Sequence, residues 1–460
     1  MIALTKSIHR PKLHTLSIAV AASFAASPVF ADSEIDALKA ELAAQRQMIQ
    51  QLLANQETQA KLVTGIIAVP PIDQKPTAPS VQGTEQKSAP SSPSASVYGV
   101  VDLNVASMDS GFGQKMSVGS GGLTASRIGV KGEKPFGEGL KAIGLAEIGL
   151  LLDTGSAGNG TVAPGINNTS ASSGGQLGTG SQLFSRQVWA GILSDRWGSL
   201  TAGRQYSGSF GAAANFNAMG TGLYGYSASF LAVAGMPTRV NNSLVYFTPI
   251  IDRMIGQITY TTGLENNVDR GTATTAGATT KTSDKAGRGL DLSVTYCWGN
   301  FSAVVTGWSL YNNTYAANET ALARKTGEQV AVSYDLGFAK LFASGVKGRI
   351  SGGGYQSVTK SLSSSSGWSI SASAPFGASK VYVSYTGFND KSALDRDASM
   401  LGVGYTYLFA PNTNLYASWG RVSNNRNASY SLADGGNLVG NVGVPGFRPS
   451  ATMAGVNYSF

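Results

Sequence analysis

Three short runs place charged side chains at every second residue, a spacing that points to electrostatics rather than covalent chemistry. In 126–133, Ile128 and Val130 share one parity, while Arg127, Lys131 and Glu133 share the other. In 139–149, Leu140, Ala142 and Ile148 alternate with Lys141 and Glu147, although Ile143 and Leu145 also fall on the charged parity. In 239–246, Val240, Leu244 and Tyr246 alternate with Arg239, Asn241 and Ser243. Successive side chains of a strand point to opposite faces, so an apolar exterior puts these cations on an interior. Fixed cations around an aqueous interior lower the barrier for anions and raise it for cations. The alternative is that the charges only bridge to loops or cap strand ends. Arg186 and Arg204 share parity with apolar neighbours, so periodicity alone assigns neither to a face.

Other chemistry is excluded by what the chain lacks. Its two histidines, His9 and His14, fall in an N-terminal segment that reads as a removable signal. The remaining chain has no imidazole for a nucleophilic triad, a histidine-ligated zinc or acid–base work. Cys297 is the single cysteine, so no intramolecular disulfide can form, and beside Trp298 it reads as a packed or lipid-facing thiol. The glycine-rich stretches at 119–122 and 352–354 precede no helical pattern and read as loops, not phosphate cradles. No catalytic residue, cofactor, metal or nucleic-acid partner is expected, and the chain is not read as an enzyme.

The elements that must position the charges follow from composition and period. The 460 residues include 58 Gly and only 13% charged residues, with 34 Lys+Arg against 26 Asp+Glu and mean hydropathy of -0.01. A soluble chain carries about 25% charge, and a helical membrane protein needs apolar runs of about 20 residues. Weakly hydrophobic, alternating, glycine-rich sequence instead predicts an all-β transmembrane antiparallel barrel. Alternating segments fall at 97–107, 123–133, 138–152, 182–194, 198–206, 238–249, 253–263 and 287–298. They continue at 300–313, 326–336, 339–348, 366–375, 378–389, 397–409, 413–424 and 450–460, about sixteen in all. Short breaks alternate with long polar insertions at 155–181, 266–287, 348–366 and 425–449, the asymmetry of an outer-membrane barrel with periplasmic turns and external loops. Tyr296, Trp298, Trp308, Tyr405, Tyr407, Trp419, Tyr458 and Phe460 cluster near strand ends, as an interfacial girdle would, although aromatics favour strands in any case.

Ahead of the barrel (97–460) three segments are expected. Residues 1–31 read as a signal peptide, with Lys6, Arg10 and Lys12 before an apolar run and Val29-Phe30-Ala31 at the cleavage site. Residues 32–64 carry Ile35, Leu38, Leu42, Ile49 and Leu52 at heptad spacing. They predict a short α-helical periplasmic coiled coil, or alternatively one amphipathic helix lying on the barrel or membrane. Residues 65–96 hold six of the chain's 16 prolines and read as an extended tether reaching on the order of 100 Å at about 3 Å per residue. Such a tether brings 32–96 into the cell-wall layer, where peptidoglycan is a candidate partner.

Several segments resemble the general trimeric porins of Gram-negative β-proteobacteria, the neisserial and Burkholderia type. They are Ser96-Val97-Tyr98-Gly99-Val100-Val101-Asp102, S-R-I-G-V-K-G-E at 126–133 and G-L-K-A at 139–142. R-Q-V-W-A-G at 186–191, G-S-L-T-A-G-R-Q-Y at 198–206, R-V-N-N-S-L-V-Y at 239–246 and the terminal Phe460 complete them. The heptad segment and proline tether depart from the usual pattern.

The resemblance implies a sixteen-stranded barrel, a homotrimer in outer-membrane lipid, and a third external loop folded into the lumen. It implies that Phe460 ends a signal read by the barrel assembly machinery. It also places Arg186 and Arg204 on the pore wall with Arg127, Lys131, Lys141 and Arg239. The third loop, 207–237, contains no Asp, Glu, Lys or Arg. General porins of this type carry carboxylates there; this chain offers Phe210, Phe216, Tyr224, Tyr226 and Phe230 instead. The expected function is passive diffusion of small hydrophilic solutes and ions, with a preference for anions. The alternative is a substrate-specific channel for small organic anions such as aromatic carboxylates.

Overall fold

In the computed structural model, the described residues are 92–111, 113–157, 183–228, 234–263, 272–275, 278–281, 284–312, 322–352, 364–434, 438–439 and 444–460. The signal, heptad and tether segments lie outside them, apart from the tether's last few residues. The chain forms β1 (Ser94–Asp109), β2 (Gln114–Ser120), β3 (Arg127–Gly137), β4 (Leu140–Leu151), β5 (Ser156–Ala157), β6 (Gln187–Ser194) and β7 (Gly198–Tyr206). Helix α1 (Gly208–Asn215) precedes β8 (Arg239–Phe247), β9 (Met254–Thr262), β10 (Thr272–Thr275), β11 (Ala278–Lys281), β12 (Arg288–Trp298) and β13 (Phe301–Tyr311). Then come β14 (Arg324–Asp335), β15 (Lys340–Ser351), β16 (Ser364–Phe376), β17 (Ser379–Asp390), β18 (Ala398–Ala410) and β19 (Thr413–Asn424). The chain closes with β20 (Leu432–Ala433), β21 (Leu438–Val439) and β22 (Ser450–Ser459).

Sixteen of these strands form a closed antiparallel meander, each pairing with the next, and β22 seals against β1 from Val100↔Ser459 to Asp109↔Ser450. Each of the sixteen segments read from alternation corresponds to one barrel strand. Alternation survives because each strand has a lipid face and a lumen face. On β15, Leu341 is 44% exposed while its neighbour Phe342 is 9% exposed. Aromatics rim the outside at the periplasmic end, among them Trp298, Tyr334, Phe376, Tyr405 and Tyr458. Trp308 departs from the expected girdle: it is buried on the inner face.

Two irregularities bend the pattern. The second barrel strand is broken: β2 pairs with the upper half of β1 and β3 with the lower half. Residues 121–126 leave the sheet between them, so 123–126, read from sequence as the start of a strand, are not in it, whereas 119–120 of the expected glycine-rich loop end β2. The cause is Asp102, whose buried carboxylate accepts from the N–H groups of Gly122, Leu123 and Thr124 at 2.9, 3.0 and 2.9 Å. Tyr416 Oη and Asn457 Nδ2 donate to the same carboxylate at 2.6 and 2.8 Å, tying the first strand to the last two. The other irregularity lies between β7 and β8. There the register slips by one residue, and Asn242 takes a left-handed φ of 49°. An extra residue in one strand reverses the faces beyond it. Val240, expected to face lipid, is therefore buried in the interior cluster, while Leu244 below the bulge does face out; Arg239, expected on the inner parity, is also beyond the bulge and is buried against Tyr206 instead.

Candidate pore constriction

In the connection from β7 to β8 (L3), the described residues 207–228 and 234–238 fold into the barrel. Ser207 caps α1 by accepting from Phe210 N–H at 3.0 Å. Asp291, on the inner face of β12, accepts from the Gly208 and Ser209 N–H groups at 2.7 and 3.2 Å and from the Ser209 hydroxyl. A carboxylate at the first turn satisfies donors that no helix can satisfy itself and complements the helix dipole. Farther along, Ala218 N–H donates to Ser371 Oγ at 2.9 Å and Tyr224 N–H to Ser418 Oγ at 3.2 Å. At Gly402 on β18 a Cβ would come within 2.3 Å of the Tyr224 carbonyl, so only glycine lets the loop lie that close. L3 thus seats on the wall from β12 round to β19.

That seat is dry. Ala212 and Phe216 pack on Val304 and Ala331. Leu223, Tyr224 and Tyr226 join Met400, Tyr416 and Val422 in a larger apolar cluster. Of the five aromatics of this loop, Phe216, Tyr224 and Tyr226 are buried, and Tyr224 is 0% exposed. A loop without charge gains most by burying its rings against the wall. Phe210 is half-buried and stacks on Tyr206 with centroids 5.3 Å apart. Phe230 lies outside the described residues.

The last long loop adds a feature that sequence reading placed outside the barrel. Residues 428–434 are all buried. Tyr430 packs edge-on against Phe388 at 5.3 Å, and Leu432 and Ala433 join the L3 cluster. Asn424 holds the segment by donating to Tyr430 O and accepting from Tyr430 N–H at 2.8 and 2.9 Å. Its sequence, A-S-Y-S-L-A, alternates as strands do, which was the one available signal.

The cations sit on the other arc. Glu147 on β4 organises them: Arg186, just ahead of β6, meets Oε1 at 2.6 Å, and Arg127 on β3 meets Oε2 at 3.3 Å. Tyr98 Oη donates to Oε2 at 2.8 Å. Arg186 also donates to Tyr206 Oη at 2.8 Å, as does Arg239, whose guanidinium lies 4.4 Å from the Tyr206 ring centre. Arg204 donates to Ser185 O at 2.9 Å and to Asn241 Oδ1. Arg127, Arg186 and Arg239 thus form one network around Glu147 and Tyr206, with Arg204 held beside it by Ser185 and Asn241. Lys141 lies 3.4 Å from Glu133, and Lys131 is half-buried 5.8 Å from the Tyr98 ring centre. Arg186, Arg204 and Arg239 are held within the wall, whereas the side chains of Arg127 and Lys141 retain 24% and 29% exposure. One buried carboxylate serves two guanidiniums, so the network keeps a positive excess. Sequence reading placed Glu147 inside but missed its role, because Arg186 lies outside any strand and reaches it from the start of the neighbouring β6.

Comparison with known proteins agrees with this architecture. The model of the Gram-negative porin family matches residues 18–427. An outer membrane porin protein of Bordetella pertussis is 26% identical over 364 residues, covering 70% of this chain and 87% of the relative. Outer membrane porin protein 32 of Delftia acidovorans is 24% identical over 388 residues, covering 80% and 94%. Among solved structures, an anion-selective porin from Comamonas acidovorans superposes with a TM-score of 0.61 at 20% identity, covering 80% of this chain and all of that one. OmpT of Vibrio cholerae, in a trimer form, superposes at 0.55 with 16% identity and the same coverage. Barrel, inserted loop and family match agree: the chain belongs to the Gram-negative porins, channel-forming β-barrels of the outer membrane.

Proposed function

We propose that this porin conducts small hydrophilic solutes passively and prefers anions. One observation carries the reading: six cations, Arg127, Lys131, Lys141, Arg186, Arg204 and Arg239, share one arc, while L3 brings no charge to the other. Fixed positive charge without an opposing acidic loop raises the local anion concentration and repels cations. The name of the Comamonas relative, an anion-selective porin, is in keeping with it. The test is the zero-current potential of single channels in a potassium chloride gradient. Anion preference is the expected sign; clear cation selectivity sinks the proposal.

A second reading, a channel tuned to aromatic carboxylates, rests on a single half-buried ring. Phe210 on Tyr206, beside Arg239, offers an apolar face next to a cation. Saturable current block by benzoate separates this reading from unselective diffusion. Assembly as a homotrimer is part of the proposal, supported by the trimer form of the Vibrio relative. So is Phe460 as the assembly signal: its ring is exposed beside Tyr458, and its backbone pairs with Gly99 at the seam. The proposed coiled coil at 32–64 and its tether are tested by deleting 32–96. That deletion should weaken attachment to peptidoglycan and leave conductance intact.

A further inference from the structure

A second pair of cations lies on the arc that L3 covers, below the loop. Lys340 opens β15 and Lys380 is the second residue of β17, both at the periplasmic end. Their neighbours Leu341 and Val381 are exposed to lipid, so the two lysines share the inward parity. Lys340 Nζ lies 5.6 Å from the Phe342 ring centre, and Lys380 Nζ lies 5.5 Å from that of Tyr382. Each ring attracts the ammonium beside it and narrows the range of positions the lysine samples.

The register places these groups in two adjoining rows. Lys340, Ser373, Tyr382 and Gly404 follow one another across β15–β18, and Lys380 stands beside Thr406 in the next row toward the periplasm. A strand spacing of about 4.8 Å and a rise of about 3.4 Å per residue put the two lysine Cα atoms about 12 Å apart. Two four-carbon stems close that distance over Ser373, which lies between them. Tyr382 Oη and Thr406 Oγ1 share one hydrogen bond of 3.0 Å, which leaves the other hydroxyl proton for a further acceptor.

L3 roofs this recess without charge. Ala218 N–H is bonded to Ser371 one row above. A Cβ at Gly404 would come within 2.8 Å of Leu223 Cδ1, so the apolar edge of the loop reaches down to the row of Lys340. The cross-strand partners of the two lysines are Asp335, Ser373, Pro375 and Thr406, of which only Asp335 is an acid. Its Oδ1 already accepts from Gly337 N–H at 2.7 Å in the turn. The recess therefore keeps an excess of positive charge.

We propose that this recess binds a phosphate group, as inorganic phosphate or a phosphate monoester, on the periplasmic side of the constriction. Two ammoniums match the two charges of such a dianion. Ser373 and the Tyr382–Thr406 pair supply neutral donors for its remaining oxygens. Chloride, with a single charge, draws less from the same set. The site rests on the lumen being an aqueous channel and not on its anion preference, since none of its residues belongs to the arginine network.

The test is block of single-channel current in about 1 M potassium chloride by inorganic phosphate, by glycerol 3-phosphate and, as the uncharged control, by glycerol. At that salt the Debye length is about 3 Å, so block reports direct contact rather than distant charge. Phosphate should block saturably and glycerol should not. K340Q/K380Q should raise the half-blocking concentration on the order of tenfold, whereas K340R/K380R, which keeps both charges, should stay within about threefold of wild type. Ser373→Val, which removes a hydroxyl and no charge, should raise it about threefold. Open-channel conductance in each variant marks an assembled barrel. R127Q/K131Q/K141Q, on the opposite arc, should lower anion preference and leave the block unchanged, which separates failure of this site from failure of the pore reading. Block by both phosphates assigns the site to the phosphate group itself, and block by glycerol 3-phosphate alone assigns it to esters; either supports the proposal. Absence of saturable block, or a K340Q/K380Q channel blocked as strongly as wild type, would overturn it.

Discussion

The two sides of the lumen are built on opposite principles. The arc from β3 to β8 is polar and charged, and a web of charge-assisted hydrogen bonds centred on Glu147 and Tyr206 holds it in place. The arc from β12 to β19 is covered by L3 and residues 428–434, which are joined to it by an apolar cluster and a few backbone contacts. On the proposed reading, one side sets the sign of the permeating ion and the other limits the cross-section. Because L3 carries no charge, the two tasks are separable, and each can be perturbed without the other.

The largest expected effect lies on the packed side. Phe216→Ala removes a ring at 3% exposure wedged against Val304 and Ala331, and it should cost about 3–5 kcal/mol of local stability. Faster hydrogen exchange across 208–220 with unchanged ion preference is the expected outcome. Asp291→Ala comes next, stripping the helix N-terminus of its acceptor at about 2–3 kcal/mol. Noisier open-channel current, with the same selectivity, should report it. A change in selectivity from either substitution would break the division between the two sides.

Smaller effects test the charged side. Replacing Arg127, Lys131 and Lys141 together by Gln should bring the anion-to-cation permeability ratio down about fivefold, since a unit charge near 4 Å in water is worth about 1 kcal/mol. Exchange in L3 should not change. The smallest effect belongs to Thr221→Asp, which puts a carboxylate on the uncharged loop. Cation permeability should rise about twofold at low salt and return toward wild type as screening shortens the Debye length to about 3 Å at 1 M.

What could be read from sequence follows the range of the interactions involved. The barrel strands were legible because lipid on one face imposes a local period of two, and Leu341 beside Phe342 shows it plainly. The broken second strand was not, because its cause is a carboxylate reached from another strand, Asp102 bonding to Gly122, Leu123 and Thr124. Val240 failed for a related reason: a bulge at Asn242 shifts parity, and two adjacent asparagines do not announce it. Among the candidate pore residues, alternation puts Arg127, Lys131 and Lys141 on the charged parity. Arg186 could not be placed, since it meets Glu147 from outside any strand. The aromatics of L3 were visible as a set, but whether rings face solute or wall depends on a seat assembled from β12 to β19, far away in sequence.

The central claim is that positive charge on one arc, unopposed by L3, makes the pore favour anions. The most direct measurement is the zero-current potential in a tenfold potassium chloride gradient, taken side by side for the wild type and the triple variant R127Q/K131Q/K141Q. The account predicts an anion-directed potential that shrinks as total salt rises and falls toward zero in the variant. A cation-directed wild-type potential, or a variant that keeps the wild-type value, would contradict it.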